Sequence, residues 1–213
     1  MLIYKKFVFN PFSENTFVLW DKTTFEALVI DPGCYSGEEE SELERFLIQN
    51  KLILKYILNT HCHLDHVFGN AFLKAKFNSA KLILAEEEVT LLKGADKQSE
   101  MFGLTFNTSP LPDEILTEQT EIFLGKMKVV PLFTPGHTFG EYSFLVETNN
   151  ICFTGDVLFC ESIGRTDLWG GNQAILIESI RGKLFNLPDE TVILPGHGEE
   201  TTISHEKKYN PFM

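Results

Sequence analysis

The sequence predicts an α+β fold in which short strands dominate both halves of the chain and a few helices lie between them. Apolar runs of strand length recur along the 213 residues, and turn-forming Gly, Pro, Asn and Asp bound these runs. No linker, charge block or low-complexity segment divides the sequence. We therefore predict a single domain over residues 1–213.

The first half of the chain is predicted to contain five strands and several capped or periodic helices. The strands are expected at residues 2–9, 16–20, 26–30, 52–58 and 81–85. An Asp-Pro-Gly sequence beginning at Asp31 ends the third strand, and a Ser-x-x-Glu capping box from Ser36 to Glu39 opens a helix. Apolar residues at helical spacing predict another helix over 67–75, and one or two helical turns follow over 86–93.

The second half is predicted to return to strands after a long excursion over the surface. The strands are expected at residues 121–124, 127–133, 142–147, 150–154 and 191–194. The excursion covers residues 94–119, and its apolar pair at 101–102 serves either as a wall or lid beside a cleft or as simple packing. Asn172 is expected to cap a helix that runs to residue 185, and Ser204 to cap a short closing helix.

The composition limits the classes of partner. The formal net charge is −12 and the pI is about 4.9, which opposes nucleic-acid binding through basic patches and does not favour anionic membranes. No apolar run approaches the ~18 residues needed to span a bilayer, and the N-terminus lacks the features of a signal peptide. The four cysteines form no CxxC pair, so we expect free buried thiols and a cytoplasmic protein.

Three histidines and a carboxylate occur within six residues, directly after the predicted strand at 52–58. In an extended loop His61 and His63 point the same way, so both can bind one metal ion. Asp65 and His66 enter the next helix and point elsewhere, toward a second ion. An exposed polar loop is the alternative, although ligands this dense after a buried strand rarely occur as solvated surface.

Further candidate ligands lie at strand ends, where functional residues concentrate. His137 and His197 each follow a Pro-Gly pair, in which proline ends the strand and glycine permits a sharp turn. Asp156 follows a strand and a glycine in the same way. His205 lies in the predicted closing helix without such a pattern, so we expect it at the surface or in packing. Cys62 lies between two ligands, and alternation turns it away from them into a structural role.

This pattern resembles the metallo-β-lactamase superfamily, whose fold is a four-layer αβ/βα sandwich. The resemblance is carried by HxHxDH at 61–66, followed by His137, Asp156 and His197, and it covers nearly the whole chain. The use of an aspartate as the fourth element is similar to the glyoxalase II group rather than to the lactamases proper. The sequences SIGRTD, GGN and YNPF between residues 162 and 212 resemble the short, single-domain glyoxalase II-like hydrolases of the YcbL type.

The resemblance implies a ligand set for two divalent ions. By position, the first ion would take His61, His63 and His137, the second would take Asp65, His66 and His197, and Asp156 would bridge them. Imidazole and carboxylate ligands without a thiolate suit zinc, iron or manganese, of which we expect zinc. Asp65 and Asp156 are also assigned as catalytic, because they leave enough positive charge on the ions to hold an anionic intermediate. The implied reaction is attack of a bridging hydroxide on a thioester carbonyl, with a small molecule such as S-D-lactoylglutathione as the partner.

The sequence departs from glyoxalase II where that family binds glutathione. Arg165 stands near the position of the family's substrate-binding lysine, and Asp167 replaces a nearby tyrosine. Arg165 can bind a substrate carboxylate, or it can form a structural salt bridge with Asp167 or near Asp156. The tyrosine expected after His197 is absent, and with sixteen residues after that histidine we expect no C-terminal helical glutathione-binding domain.

Three other functions remain open at this stage. A persulfide dioxygenase of the same superfamily would use one iron bound by His61, His137 and Asp156. A dinuclear site could also support a phosphodiesterase or nuclease, although the acidic charge opposes a nucleic-acid substrate. A metal-binding or scaffold protein without turnover is the third, and the completeness of the ligand set opposes it. The physiological substrate, the native metal and the oligomeric state are not predicted.

Overall fold

A computed structural model describes residues 2–213 and has a mixed arrangement of strands and helices. The strands within this range are β1 (Leu2–Phe9), β2 (Glu14–Asp21), β3 (Glu26–Ile30), β4 (Ile53–Leu58), β5 (Lys81–Leu84), β6 (Glu114–Ile115), β7 (Ile122–Leu124), β8 (Met127–Phe133), β9 (Tyr142–Val146), β10 (Ile151–Gly155), β11 (Leu158–Phe159), β12 (Ser162–Ile163), β13 (Val192–Pro195) and β14 (Thr201–Thr202). The α-helices are α1 (Gly37–Gln49), α2 (Leu64–Val67), α3 (Asn70–Lys76), α4 (Val89–Lys93), α5 (Ala95–Met101), α6 (Gln173–Gly182) and α7 (Ile203–Tyr209).

Among the described residues, twelve of these strands form two six-stranded sheets. The first sheet has the order β1-β2-β3-β4-β5-β6; its first three strands are antiparallel, and β3 to β6 pair in parallel. The second sheet has the order β14-β13-β10-β9-β8-β7, and in it β10 and β13 are the parallel pair. Strands β11 and β12 form a separate short hairpin. The parallel pairs matter most for the site, because their strands end at a common edge.

Buried apolar side chains divide the structure into four layers. The residues packed between the sheets include Phe17 and Leu28 from the first sheet and Phe144 and Phe153 from the second. The outer face of the first sheet is covered by α1, α3 and α4, and that of the second sheet by α6 and α7. This is the αβ/βα order that the resemblance predicts. The core shared by both sheets also supports our proposal of a single domain.

The start of β2 is joined to the loop after β13. The Asn15 backbone N–H donates to the Gly196 carbonyl at 2.7 Å. The Asn15 side-chain amide donates to the carbonyls of Pro195 and Gly198, at 2.9 Å each. Asn15 is buried, so these hydrogen bonds fix the path of the last loop against the first sheet.

Most of the predicted strands and two of the predicted caps are confirmed. Ser36 caps α1 through a complete capping box, and Asn172 caps α6 by accepting the Ile175 N–H. The Glu39 carboxylate has a wider role than the box requires, because it also accepts the backbone N–H groups of Asn10 and Tyr35.

The helix predicted over 67–75 is wrong in its bounds. The helical region begins earlier, with α2 at Leu64, and it is interrupted between Val67 and Asn70 before α3 continues. The apolar periodicity runs through the interruption, so it could not reveal the break. The Gly69 N–H donates to the Pro32 carbonyl at 2.7 Å, and this contact with a distant turn directs the chain away from a continuous helix.

Other predictions differ from the structure where short elements depend on tertiary contacts. Residues 94–119 contain α5 and the edge strand β6, which pairs with β5. The closing helix α7 is capped by Thr202 rather than Ser204, since the Thr202 hydroxyl accepts the His205 N–H. Helix α6 ends at Gly182 rather than at residue 185, and the hairpin of β11 and β12 was not predicted.

The cysteine prediction holds for three of the four residues. Cys34, Cys62 and Cys152 are free and buried, whereas Cys160 is free but exposed, because it lies in the turn of the short β11–β12 hairpin. Across residues 2–213, every helix is too short or too polar to traverse a bilayer.

We predict that the Ser36→Ala variant lowers the free energy of unfolding by about 1 kcal/mol, because the Glu39 N–H loses its acceptor at the start of α1. Chemical denaturation of the metal-free protein measures this change. The matched control is Ser41→Ala in the same helix, whose hydroxyl donates back to the Gly37 carbonyl. This control should change stability by less than about 0.5 kcal/mol. Equal effects of the two variants would contradict the capping role.

Candidate metal centre

The loop after β4 carries the first group of candidate ligands, and a buried aspartate holds it in place. The Thr60 backbone N–H donates to Asp31 Oδ1 and the Thr60 hydroxyl donates to Asp31 Oδ2, both at 2.7 Å. From Thr60 onward the side chains alternate, so His61 faces the centre while Cys62 packs in the core of the first sheet's outer face. Burial raises the pKa of the Cys62 thiol well above its ordinary value, as suits the predicted structural role.

Helix α2 positions the next two candidate ligands. His63 is extended at the position before the helix, and Asp65 and His66 lie in its single turn. The Asn59 side-chain amide donates to the His66 carbonyl at 3.0 Å and holds the helix against the end of β4. The sequence therefore predicted correctly that Asp65 and His66 leave the extended loop and enter a helix.

The remaining candidates follow strands of the second sheet through glycine turns. His137 follows β8, Asp156 follows β10, and His197 follows β13. Gly136 has φ +133°, and a Cβ at this position would overlap the backbone of Leu176 in α6. Glycine is therefore required there both by its backbone conformation and by close packing against the helix.

All seven predicted ligand side chains converge at one edge of the two sheets. Two separate groups are close enough to hold an ion each: His61, His63 and His137 in the first, and Asp65, His66 and His197 in the second; a third set at this edge, His61, His66 and Asp156, overlaps both. In the first group His63 Nδ1 lies 2.9 Å from His137 Nε2, and in the second His197 Nε2 lies 3.1 Å from Asp65 Oδ2. Within each of these groups the ligand atoms lie within 4.8 Å of one another.

Asp156 lies between the two groups. Its Oδ1 is 3.5 Å from His66 Nε2, and its Oδ2 is 3.6 Å from His137 Nε2 and 3.8 Å from His197 Nε2. One carboxylate thus reaches histidines of both groups, as a bridging ligand would. The position of Asp156 is the one that the resemblance implies.

Hydrogen bonds at the outer ring nitrogens orient the histidines. The His66 Nδ1 position lies 3.1 Å from Asp31 Oδ2, and the His137 Nδ1 position lies 2.8 Å from the Arg165 carbonyl. Because the carboxylate and the carbonyl can only accept, Nδ1 carries the proton in both rings. Nε2 of both rings is therefore directed at the centre, where its lone pair can bind a metal ion once any proton on it has left.

Several inward-facing atoms are left without partners. His61 Nε2, His66 Nε2 and Asp156 Oδ1 are buried and have no hydrogen-bond partner. A buried polar atom without a partner costs about 1–3 kcal/mol, so three of them around one point are unfavourable unless a ligand lies there. Divalent ions with nitrogen and oxygen preference fit this donor set.

The two groups differ in the protonation of their histidines. Burial lowers the pKa of His63 to about 3, and it lowers the pKa values of His61 and His137 as well. Burial acts in the same direction on His66 and His197, but neighbouring carboxylates outweigh it and raise both pKa values. The histidines of the first group are therefore neutral at pH values where those of the second group still hold an extra proton, which a metal ion must displace.

Two residues in contact with the ligands were not identified from the sequence. Asp31 was interpreted only as part of a strand-ending turn, although its carboxylate contacts both Thr60 and His66. Glu141 is fully buried with Oε1 3.3 Å from His61 Nδ1. The acidic residue directly after β3 was the available signal for Asp31, whereas no local pattern distinguished Glu141.

A cavity of about 470 Å³ opens above the ligands. Its apolar wall includes Phe12, Phe102, Phe159, Ile163 and Leu168. Phe102 belongs to the excursion over 94–119, so the predicted wall beside a cleft is present. Whether this segment also closes as a lid stays a prediction.

Arg165 lies at the rim of this cavity and is paired with Asp167. Its guanidinium donates through Nε and Nη2 to the two carboxylate oxygens, at 2.7 and 2.8 Å. The Arg165 hydrogen bond lowers the pKa of Asp167 to about 2. The salt bridge considered from the sequence is thus formed, and both side chains are exposed. His205 lies outside the site and contacts Glu161 at 3.0 Å, as expected of a surface residue.

A comparison with protein families identifies the superfamily of the chain. The profile of the Metallo-beta-lactamase superfamily matches residues 9–197. The chain belongs to this superfamily. The match supports the coarse class of a metallo-hydrolase superfamily. The four-layer fold predicted from the sequence is confirmed.

Similar proteins include both hydrolases and metal-bound structures. The chain is 39% identical to the hydroxyacylglutathione hydrolase GloC of Haemophilus influenzae, covering 96% of this chain and 94% of GloC. The crystal structure of the B3 metallo-beta-lactamase BLEG-1 superposes with a TM-score of 0.88 at 33% identity, covering 99% of each chain.

Two further structures are similar, and one of them contains metal. TTHA1623 in a di-iron-bound form superposes with a TM-score of 0.86 at 33% identity, covering 98% of this chain and 100% of that chain. ETHE1 from Myxococcus xanthus superposes with a TM-score of 0.80 at 28% identity, covering 98% and 83%. The di-iron form means that the similarity does not select zinc.

We predict that the affinity for the second ion falls with decreasing pH more steeply than the affinity for the first. Because the pKa values of His66 and His197 are raised above that of an ordinary histidine, a proton must leave these rings before an ion binds even at pH values where His61 and His63 are already neutral. Chelator competition on metal-stripped protein at several pH values measures both affinities. The same pH slope for the two ions would contradict the different protonation of the two groups.

Proposed function

We propose that the protein hydrolyses a small-molecule thioester with the help of two divalent metal ions. The observation that carries the proposal is the convergence of seven side chains, three of whose inward-facing polar atoms are buried without hydrogen-bond partners. His61, His63 and His137 would hold one ion, and Asp65, His66 and His197 the other. Asp156 would bridge them. We propose zinc as the first metal to test, with iron and manganese equally compatible with the ligands.

When bound, such ions lower the pKa of a shared water and polarise a carbonyl oxygen. The residues of the chain supply the rest of the site. Asp65 and Asp156 limit the net positive charge while leaving a cationic centre for an anionic intermediate. Asp31 and the Arg165 carbonyl hold His66 and His137 in their ligating orientation. The apolar wall with Phe12 and Phe102 limits access of bulk water to the reacting carbonyl.

The proposed substrate is S-D-lactoylglutathione or a closely related thioester. The similarity to the hydroxyacylglutathione hydrolase GloC supports this choice, since both chains are covered almost entirely. A cavity of about 470 Å³ is large enough to hold the acyl group and its thioester. The free cysteines agree with our proposal that the enzyme works in the cytoplasm.

A persulfide dioxygenase is the second candidate, and the similarity to ETHE1 and TTHA1623 keeps it open. It would need a single iron bound by His61, His137 and Asp156. The second group of Asp65, His66 and His197 would then have no catalytic role. Its completeness, with His197 Nε2 and Asp65 Oδ2 3.1 Å apart, favours the dinuclear hydrolase.

We predict that protein loaded with about two ions per chain hydrolyses S-D-lactoylglutathione, and that the His61→Ala variant abolishes hydrolysis and lowers metal content. Turnover and metal content must be measured on the same sample. His205→Ala is the matched control, because that histidine lies outside the site and should leave both values unchanged. Full activity of His61→Ala at normal metal content would contradict the site.

The same sample separates the two candidate functions. Absence of thioester hydrolysis, together with about one iron per chain and oxygen uptake with glutathione persulfide, would replace the hydrolase by the dioxygenase.

We predict that a substrate carboxylate replaces Asp167 as the partner of the Arg165 guanidinium. The Arg165→Ala variant should then raise KM by about tenfold and leave kcat nearly unchanged, since a charged hydrogen bond to the substrate is lost. Asp167→Asn should lower KM, because it frees the guanidinium from its bidentate partner. Steady-state kinetics with S-D-lactoylglutathione measures both. An unchanged KM in Arg165→Ala would leave the salt bridge as a structural feature alone.

A further inference from the structure

Glu141 is a buried carboxylate that contacts two candidate ligands at once. The residue lies just before β9 and has no exposed surface. Its Oε1 accepts the backbone N–H of Asp156 at 2.8 Å and lies 3.3 Å from His61 Nδ1. His61 belongs to the first group of ligands, and Asp156 lies between the two groups. A single oxygen atom therefore connects residues that are far apart in the sequence and adjacent at the centre.

The surroundings of His61 fix which ring nitrogen carries the proton. Thr60 Oγ1 lies 3.1 Å from His61 Nδ1, but this hydroxyl already donates its proton to Asp31. Thr60 can therefore only accept from the His61 ring. Glu141 Oε1 accepts the Asp156 N–H, so a proton on this carboxyl resides on Oε2, and Oε1 faces the ring as an acceptor. With two acceptors at Nδ1, the proton lies there and the Nε2 lone pair is free.

Glu141 differs from another buried glutamate that serves the loops alone. Glu88 accepts the backbone N–H groups of Cys62 and Gly140, and both of its oxygens are used. Glu141 Oε2 instead has no hydrogen-bond partner. A side chain whose only role is to accept one backbone N–H needs a single oxygen. Burying a second oxygen without a partner is costly in an apolar environment. A cationic centre held by His61 and Asp156 would offset that cost.

We propose that Glu141 is a positioning residue of the metal centre, which sets the ring orientation of His61 and the location of Asp156 through the same oxygen. The inference depends on the proposed ligand roles of His61 and Asp156 but not on the identity of the substrate. Loss of this acceptor leaves the Asp156 N–H unpaired and the His61 ring less restrained. The first ion is the one affected most, because His61 belongs to its ligand group.

Two variants test the role of the acceptor through metal binding. Glu141→Met removes both oxygens at similar side-chain length, and we expect it to weaken binding of the first ion by about 10–100-fold. Glu141→Gln keeps an amide oxygen for the Asp156 N–H and the His61 ring, so we expect its affinity to recover to within about threefold of the unmodified protein. Chelator competition on metal-stripped protein measures the affinities, and the absorption bands of the Co²⁺-substituted protein report the ligand field.

The matched control is Glu206→Met. Glu206 is equally buried and also accepts one backbone N–H, from Glu161, but it lies in α7 away from the ligands. This variant should lose folding stability without a change in the affinity for the first ion. Three outcomes would each overturn the proposal. The affinity for the first ion could fall equally in Glu141→Met and Glu206→Met, it could stay unchanged in Glu141→Met, or it could fail to recover in Glu141→Gln.

NMR reports on the proton of His61 directly. Its first measurement uses the unmodified protein, so the proposal can be tested even if Glu141→Met does not fold. In metal-stripped protein, ¹⁵N chemical shifts should assign the proton of His61 to Nδ1 and leave Nε2 unprotonated. The Nδ1–H resonance should shift in Glu141→Gln, because a neutral amide oxygen replaces the carboxyl as its acceptor. A proton on Nε2, or a Nδ1–H resonance that is the same in both proteins, would overturn the proposal without reference to any activity.

Discussion

The central physical constraint in this structure is the burial of several imidazole nitrogens and carboxylate oxygens around one point. His63 Nδ1 and His137 Nε2 lie 2.9 Å apart. Because the outer nitrogen of His137 donates to the Arg165 carbonyl, His137 Nε2 accepts the hydrogen bond from His63 when no cation is present. His61 Nε2 and Asp156 Oδ1 are buried without a hydrogen-bond partner. The fold has to supply the free energy that keeps these polar atoms buried in the absence of a cation. A divalent ion that binds them offsets this cost once the His63 proton has left.

The layers of the fold explain how that arrangement is maintained. The candidate ligands follow β4, β8, β10 and β13, and the buried apolar residues between and outside the sheets fix where those strands end. Each ligand loop is then held by a contact with a neighbouring element: Thr60 with Asp31, Gly136 with Leu176, and Asn15 with Gly196. The apolar cavity lies above the same edge of the sheets, and its walls are formed by residues at the end of α5 and in the β11–β12 hairpin.

The ligands could be predicted from the sequence because their signals are local. His61, His63, Asp65 and His66 are dense and follow an apolar strand, and the others follow strands through glycine. Asp31 and Glu141 could not be predicted in the same way. An Asp-Pro-Gly turn has a sufficient local explanation, and Glu141 gains its contacts with His61 and Asp156 only when three loops meet. The break between α2 and α3 was missed for a similar reason, because it depends on the hydrogen bond from Gly69 to Pro32.

The hydrogen bonds of Asn15 have a consequence for how the protein matures during synthesis. Asn15 and Pro195 are 180 positions apart, so the loop that carries His197 meets its support only after almost the whole described chain has left the ribosome. Closing so long a loop is entropically costly and slows folding. Until this loop closes, the candidate ligands from His61 to Asp156 are present in the nascent chain but His197 is not yet in place. Capture of the second ion is therefore expected to be a late event, which follows the synthesis of almost the whole described chain.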